Sequence, residues 1–361
     1  MTGLGPPTGL GPPTGLGPPT GLGPPTGLGS LAGLGPLAGR VAAAPISWGV
    51  CEVPGWGAVL PPRRVLAGIR GCGLDATELG PPGWLSTAAA VRELDTAGVR
   101  AAENPAAVEF ADRAVRRALG GLRLTAGFLA VPLHHGAHAA RDAARGTVTA
   151  LAGAGAGYLV LAAATGTDGY DGRPTLHAAA WRAMVDGAHA VAELAAEHGL
   201  HAVLHPHVGT LVETPHEIEA FLADGELGLC LDTGHVLVGG GDPVELAARH
   251  RDRIDYVHLK DVDAAIAETV RAGRQTYAKA VADGLYRPLG AGDVDIAAIV
   301  TGLESAGYRG WYVLEQDTAL PASDPATVQA AAQAADHAVA ASLDHLAKIA
   351  ATLKHHPIRT P

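Results

Sequence analysis

Asp232, His258 and Glu315 each close a short apolar run, in LGLCLD, DYVHL and WYVLE. A parallel sheet delivers residues in such positions to its C-terminal edge, and alternation along an extended chain shows which of them share a face. In HAVLHPH, His201, Val203, His205 and His207 fall together, and Asp232 shares a face with Gly228 and Cys230. Tyr256, His258 and Lys260 align, as do Trp311, Val313, Glu315 and Asp317. Taken singly, each polar residue is more commonly a cap or a satisfied core group. Together they bring imidazole and carboxylate from four strands to one spot, and mixed N and O donors suit Mn²⁺, Co²⁺, Zn²⁺ or Fe²⁺ better than Ca²⁺, which prefers oxygen alone. Asp232, His258 and Glu315 are therefore expected among the ligands of one such divalent ion serving as a Lewis acid, with the fourth position open to the imidazoles His205 and His207 of HAVLHPH. Thr233, Gly234 and His235 are expected to leave their strand in the sharp turn of a site loop, with His235 as a substrate contact.

These residues need a scaffold that ends several strands at one mouth. From Val41 onward, short apolar runs alternate with Ala-rich amphipathic stretches, the pattern of repeated strand-helix units. Eight strands are predicted, near 41–48, 74–79, 122–129, 158–163, 201–205, 227–232, 255–260 and 311–315. Helices are predicted near 62–72, 175–198, 215–223, 243–250 and 296–306, with an extra one near 106–119 and a closing one over 325–354. Eight strands each ending in polar residues suit a single (β/α)8 TIM barrel over 41–354 better than an open doubly wound sheet. The TGLGPP repeats that open the chain carry no charge and no periodic apolar face, so 1–40 is expected to be a disordered Gly/Pro-rich tail whose removal leaves activity intact. Residues 355–361 form a short C-terminal tail.

Composition narrows the partners. Lys and Arg number 26 against 36 Asp and Glu, a formal charge of −10, which leaves no broad cationic surface for a nucleic acid. Cys51, Cys72 and Cys230 are too few and too scattered for a disulfide framework, so a reducing cytoplasm is expected. No apolar run approaches the roughly 18 residues of a membrane helix, and the N-terminus lacks the pattern of a signal peptide. GAGAG at 153–157 precedes a strand instead of following one, so no nucleotide cofactor is expected. A homo-oligomer is compatible with all of this.

DTGH at 232–235, HLKD at 258–261 and the final-strand Glu315 resemble the xylose-isomerase-like superfamily of sugar isomerases and epimerases, whose metal is held by Glu, Asp, His and Glu from four strands. Within it, PISWGVCEVPGWG at 45–57, ATELGPPGWL at 76–85, GFLAVPLH at 127–134, HPHVGTLVET at 205–214 and WYVLEQD at 311–317 are similar to inosose dehydratases of inositol catabolism. One departure stands out: where the superfamily carries its first Glu ligand, this chain has His205, with His207 and Glu213 beyond it. Strand register favours His205, and the other two are site members of undetermined role.

The resemblance implies metal-dependent removal of water from a keto-inositol of the scyllo-inosose type, a small polyhydroxylated keto substrate. Such an elimination needs a base for the proton α to the ketone, a cation for the developing enolate and an acid for the departing hydroxyl. His207 is the expected base or acid, since imidazole titrates near neutrality. Lys260 is expected to stabilise the enolate or protonate the leaving group, unless it is spent in a salt bridge to Asp261 or Asp317. Glu52 and Trp56 are expected to wall the substrate site together with Glu78, a carboxylate that accepts from substrate hydroxyls, and Glu213. Trp48, by its parity with Ile46, points into packing. The alternatives are a divalent-metal ketose isomerase or epimerase on the same fold and, less expected, a non-catalytic sugar-binding barrel.

Overall fold

The computed structural model describes residues 31–353 except 52, 54, 82–83, 86–114 and 168. The expectations for Glu52, for the repeats of 1–30, for most of the helix at 106–119 and for the C-terminal tail lie outside the described residues. Valine, leucine and alanine runs pair as parallel strands β1 (Val41–Ala43), β2 (Ala76–Thr77), β3 (Arg123–Leu124), β4 (Ala126–Val131), β5 (Tyr158–Ala163), β6 (His201–Leu204), β7 (Gly228–Asp232), β8 (Ile254–Leu259) and β11 (Trp311–Leu314), while β9 (Asp261–Val262) and β10 (Tyr286–Arg287) form a separate antiparallel ribbon.

The spatial order in the main sheet is β3-β2-β1-β11-β8-β7-β6-β5-β4. Its two ends are separated in sequence by Thr125 alone. The Thr125 amide donates to the Thr77 carbonyl at 2.9 Å, and its carbonyl accepts from the amides of Gly157 and Tyr158 at 3.0 Å each. The two ends are therefore halves of one strand, the sheet closes, and the eight-stranded TIM barrel expected from the sequence results.

Small side chains line the barrel interior: Ala42, Ala76, Ala126, Val160, Val203 and Cys230 are buried there around one large ring, Tyr256, whose hydroxyl donates to Thr125 Oγ1 at 2.8 Å. The expected inward faces of β6, β7, β8 and β11 are the observed ones. The first strand is shorter than expected because Pro45, which has no amide to continue the ladder, opens a 3-10 turn over Pro45–Trp48. Trp48 is fully buried outside the barrel, its indole donating to Asp336 Oδ1 at 2.8 Å on the closing helix Pro325–Leu353.

Three elements were not expected. The helix Ala137–Ala154 presents Ala140, Ala144, Val148 and Leu151 inward, a helical spacing whose small residues give little apolar contrast. Residues after Asp232 do not form the expected turn but the helix Thr233–Val238. The β9/β10 ribbon frames the helices Ala264–Arg271 and Tyr277–Ala282 in an insertion between β8 and β11.

The expected boundary of the tail at residue 40 is corrected. Leu34 and Leu37 are buried in the element Leu31–Leu37 against the closing helix, and Arg40 pairs with Glu304 at 2.7 Å. Two buried leucines stabilise by about 3–6 kcal/mol, so a chain beginning at Ala38 is expected to melt well below the full-length protein, whereas one beginning at Ser30 melts with it. Coincident calorimetric melts of all three chains would contradict this packing. Among the described residues no helix is long and apolar enough to cross a membrane.

Candidate metal centre and cavity

The strand ends bring Asp232 and Glu315 against His258 at the mouth, with His205 beside it, and ligand atoms close enough to share one ion occur in Glu78, His258 and Glu315 and in His205, Cys230 and His258. Asp232 closes β7 and divides its carboxylate. Oδ1 accepts from the amides of Gly234 at 2.9 Å and His235 at 2.8 Å, capping the helix that follows. Oδ2 is buried with no hydrogen-bond donor. The expectation that these residues turn into a loop fails for this reason: the carboxylate satisfies the first amides and a helix starts at once.

His258 Nδ1 lies 2.6 Å from Glu315 Oε2 and 3.5 Å from Asp232 Oδ2, and its Nε2 lies 2.8 Å from Glu78 Oε1. The His205 ring stands 5.0 Å from that of His258. His205 Nδ1 is buried without a hydrogen-bond partner, and the buried Asp232 Oδ2, His258 Nδ1 and Glu315 Oε2 are left to one another and to the Lys260 ammonium, 3.3 Å from Asp232 Oδ2. Crowding carboxylates and imidazoles in one dry spot is costly unless a cation binds them. Charge points the same way, since three carboxyl groups, those of Asp232, Glu315 and Asp317, surround the Lys260 ammonium and a fourth, that of Glu78, pairs with His258. A divalent ion held by N and O donors fits both observations. Burial raises the nearby Cys230 thiol to about 11, and its sulfur lies close enough to His205 and His258 to share an ion with them.

His207 and Glu213, the other contenders for the fourth position, are held differently. Glu213 is not brought to the cluster: its Oε2 accepts from the Gly209 amide at 2.7 Å and pairs with Arg173 Nε at 3.1 Å. It braces the loop after β6, and its expected contact with substrate is corrected to that role. Gly209 in this loop has φ +77°, and a Cβ there would stand 2.5 Å from Tyr170 Cα, so glycine lets the loops after β5 and β6 touch. His207 donates from Nδ1 to the Val208 carbonyl at 2.7 Å, which leaves the Nε2 lone pair free. Burial, then the Lys260 ammonium, push its pKa down to about 4 against the bond to Val208. His207 is thus neutral at pH 7 and suits a base, while the alternative reading as the resting acid is set aside.

Lys260 and His235 are corrected as well. The Lys260 ammonium is 1% exposed and does not reach the cavity. It lies 2.8 Å from Asp317 Oδ1, 3.3 Å from both Asp232 Oδ2 and Glu315 Oε1, and donates to His235 Nε2 at 3.0 Å. Burial opposes its charge, but Asp232, Asp317 and Glu315 outweigh it and hold the pKa well above the usual lysine range. The salt bridge to Asp317 is the observed outcome, and Asp261 is instead occupied by the amides of Gly290, Gly292 and Val294. His235 is buried behind His207, ring centroids 3.7 Å apart, and does not line the cavity. Burial keeps it neutral, so it accepts from Lys260 instead of contacting substrate.

The cavity beside the cluster is lined by the rings of Trp56, Phe128, Tyr170 and His207 and by the carboxyl groups of Glu78 and Asp317. The Trp56 indole donates to the Thr318 carbonyl at 3.1 Å, which fixes its ring as the expected wall. Tyr170 stacks on His207 at 5.4 Å and 29°. Sequence reasoning missed Tyr170, Phe128 as a wall, and Tyr277, which donates to Asp317 Oδ2 at 2.8 Å. Tyr170 and Tyr277 come from connections, where strand parity gives no signal. A roomier groove of about 720 Å³, bordered by Trp181 and His216, lies on the outer helices away from this chemistry.

Comparison with known proteins agrees with this architecture. Residues 69–349 match the xylose isomerase-like TIM barrel family. The chain is 33% identical over 287 residues to the rhizopine catabolism protein MocC of Rhizobium meliloti, covering 77% of this chain and 81% of that one. It is 32% identical over 290 residues to an inosose dehydratase of Geobacillus kaustophilus, covering 77% and 87%. Among solved structures, the IOLI protein with a bound zinc atom superposes with a TM-score of 0.55 at 13% identity, over 88% of this chain and 100% of that one.

Proposed function

The chain belongs to the xylose isomerase-like TIM barrel family, and from that premise we propose that it is a divalent-metal-dependent hydro-lyase acting on an uncharged keto-inositol. The observation that carries the metal reading is that Asp232, His258 and Glu315 meet at the mouth, His258 Nδ1 lying 2.6 Å from Glu315 Oε2 and 3.5 Å from Asp232 Oδ2, with His205 Nδ1 buried and unpaired nearby. Those residues would hold the ion, and the zinc in the similarly folded IOLI protein supports a divalent cation, for which we favour Mn²⁺ or Co²⁺. When bound, such an ion supplies positive charge where an enolate develops.

His207 presents a neutral imidazole with a free Nε2 to the cavity and removes the proton α to the ketone. The electron pair of that C–H bond forms the enolate and then expels the β-hydroxyl, which takes the proton back from His207 and departs as water. Trp56, Phe128 and Tyr170 pack against the ring's C–H faces and exclude bulk water, while Glu78 and Asp317 border the polar side. Among the described residues, no Lys or Arg lines the cavity. The carboxyl groups of Glu78, Glu315 and Asp317 in the lining favour a neutral polyol ketone over a sugar phosphate. The inosose dehydratase of Geobacillus kaustophilus, alike over most of both chains, supports the same choice.

Incubation with scyllo-inosose and Mn²⁺ or Co²⁺ is expected to give a conjugated product that absorbs in the ultraviolet. Interconversion of a ketose pair without that product would make the enzyme an isomerase or epimerase. Tight inositol binding without ion or turnover would make it a binding barrel.

A further inference from the structure

We infer that Glu78 is a positioning residue that decides which ring nitrogen of His258 is offered to the metal ion. This rests on the reading of Asp232, His258 and Glu315 as a metal centre. Glu78 follows β2, and its own amide is tied to the Ala43 carbonyl at 3.4 Å. From there its buried carboxylate reaches across the mouth to His258 on β8, three strands away in the sheet order, with Oε1 2.8 Å from Nε2.

Both nitrogens of the His258 ring face carboxylates: Nε2 meets Glu78 Oε1 at 2.8 Å, and Nδ1 meets Glu315 Oε2 at 2.6 Å and Asp232 Oδ2 at 3.5 Å. A carboxylate accepts hydrogen bonds and does not donate, so without an ion each nitrogen carries a proton. An ion held by Asp232 and Glu315 would take the place of the Nδ1 proton, while Glu78 keeps the proton on Nε2. Without that partner both tautomers and other ring orientations become available. Glu78 therefore acts through His258, and its expected role as an acceptor for substrate hydroxyls becomes secondary.

The test is metal affinity of the full-length apoprotein, with Zn²⁺ titrated against a chelating dye for the wild type, Glu78→Gln and Glu78→Leu, each checked for a native melt. The Gln amide oxygen still accepts from Nε2–H, so Glu78→Gln is expected to bind within a few fold of wild type. Glu78→Leu is expected to lose about 10- to 100-fold in affinity, the usual cost of removing such a partner. Imidazole ¹⁵N spectra of the zinc-loaded wild type and Gln variant are expected to show a protonated Nε2 and a metal-bound Nδ1 for His258. Equal affinity for Glu78→Leu and wild type would overturn the inference while leaving the metal centre intact. Equal losses in both variants would overturn it too, since they would make Glu78 a ligand. A wild type that binds no divalent ion would fail the underlying reading instead.

Discussion

Asp232→Asn is expected to lower turnover about a thousand-fold while leaving the fold nearly intact. The Asn side-chain oxygen can still accept from the amides of Gly234 and His235, but the amide nitrogen that replaces Oδ2 cannot serve an ion. Losing several kcal/mol of charge stabilisation at 1.36 kcal/mol per tenfold in rate gives about three decades. Asp232→Ala should lose the same activity and, in addition, about 1 kcal/mol of stability through the missing cap. Chelation of the wild type should reproduce the Asn phenotype, and added Mn²⁺ or Co²⁺ should reverse it. Turnover of the Asn variant within tenfold of wild type would remove Asp232 from the metal centre.

The second large effect falls on stability. Lys260→Met keeps the apolar stem but leaves Asp232, Glu315 and Asp317 without the buried ammonium they share. Breaking a buried ion pair on one side costs about 3–5 kcal/mol, which denaturant titration would read as a lowered midpoint. Because the folded-state pKa of Lys260 is raised, its contribution is present throughout the neutral range and fades only as pH climbs above the ordinary lysine value. A divalent ion, by binding the same carboxylates, should recover part of the loss in proportion to its concentration. An unchanged midpoint without ion would show that the carboxyl groups are already neutral or hydrated and that Lys260 is dispensable.

Strand parity made the centre legible because β7 and β8, after one register shift at Leu229/Cys230, run in step from Cys230 opposite Tyr256 to Asp232 opposite His258, and β11 pairs with β8 without a shift. Asp232, His258 and Glu315 follow from that alternation, and His205 follows from the same rule one strand over. The same parity misled for Lys260. It points inward as expected, but its long stem carries the ammonium into the carboxylates beneath the cavity, a destination alternation cannot specify. Glu213, nine residues past the end of β6, has no register to constrain it, and Arg173, which captures it, is distant in sequence. His235 lies in a helix and not a loop because one Asp232 carboxylate both caps the amides of Gly234 and His235 and faces the centre, a double role that alternation does not reveal. Tyr170 and Tyr277 were illegible for a different reason: their positions depend on how two connections pack over the mouth, through contacts such as the Tyr277 amide donating to Asp171 Oδ1 at 2.8 Å.

The divided carboxylate of Asp232 has a consequence for selectivity among ions. Its rotamer is already fixed by two backbone amides before any ion arrives, so it loses no further torsional freedom on binding and dictates where the ion rests. Glu315 has one more rotatable bond and no such backbone tether among its described hydrogen bonds, and its reach is adjustable. A centre with one immovable oxygen and one compliant one accommodates differing ionic radii by moving the Glu315 side alone. Its affinity across the divalent series should then follow intrinsic donor strength, with little discrimination imposed by size.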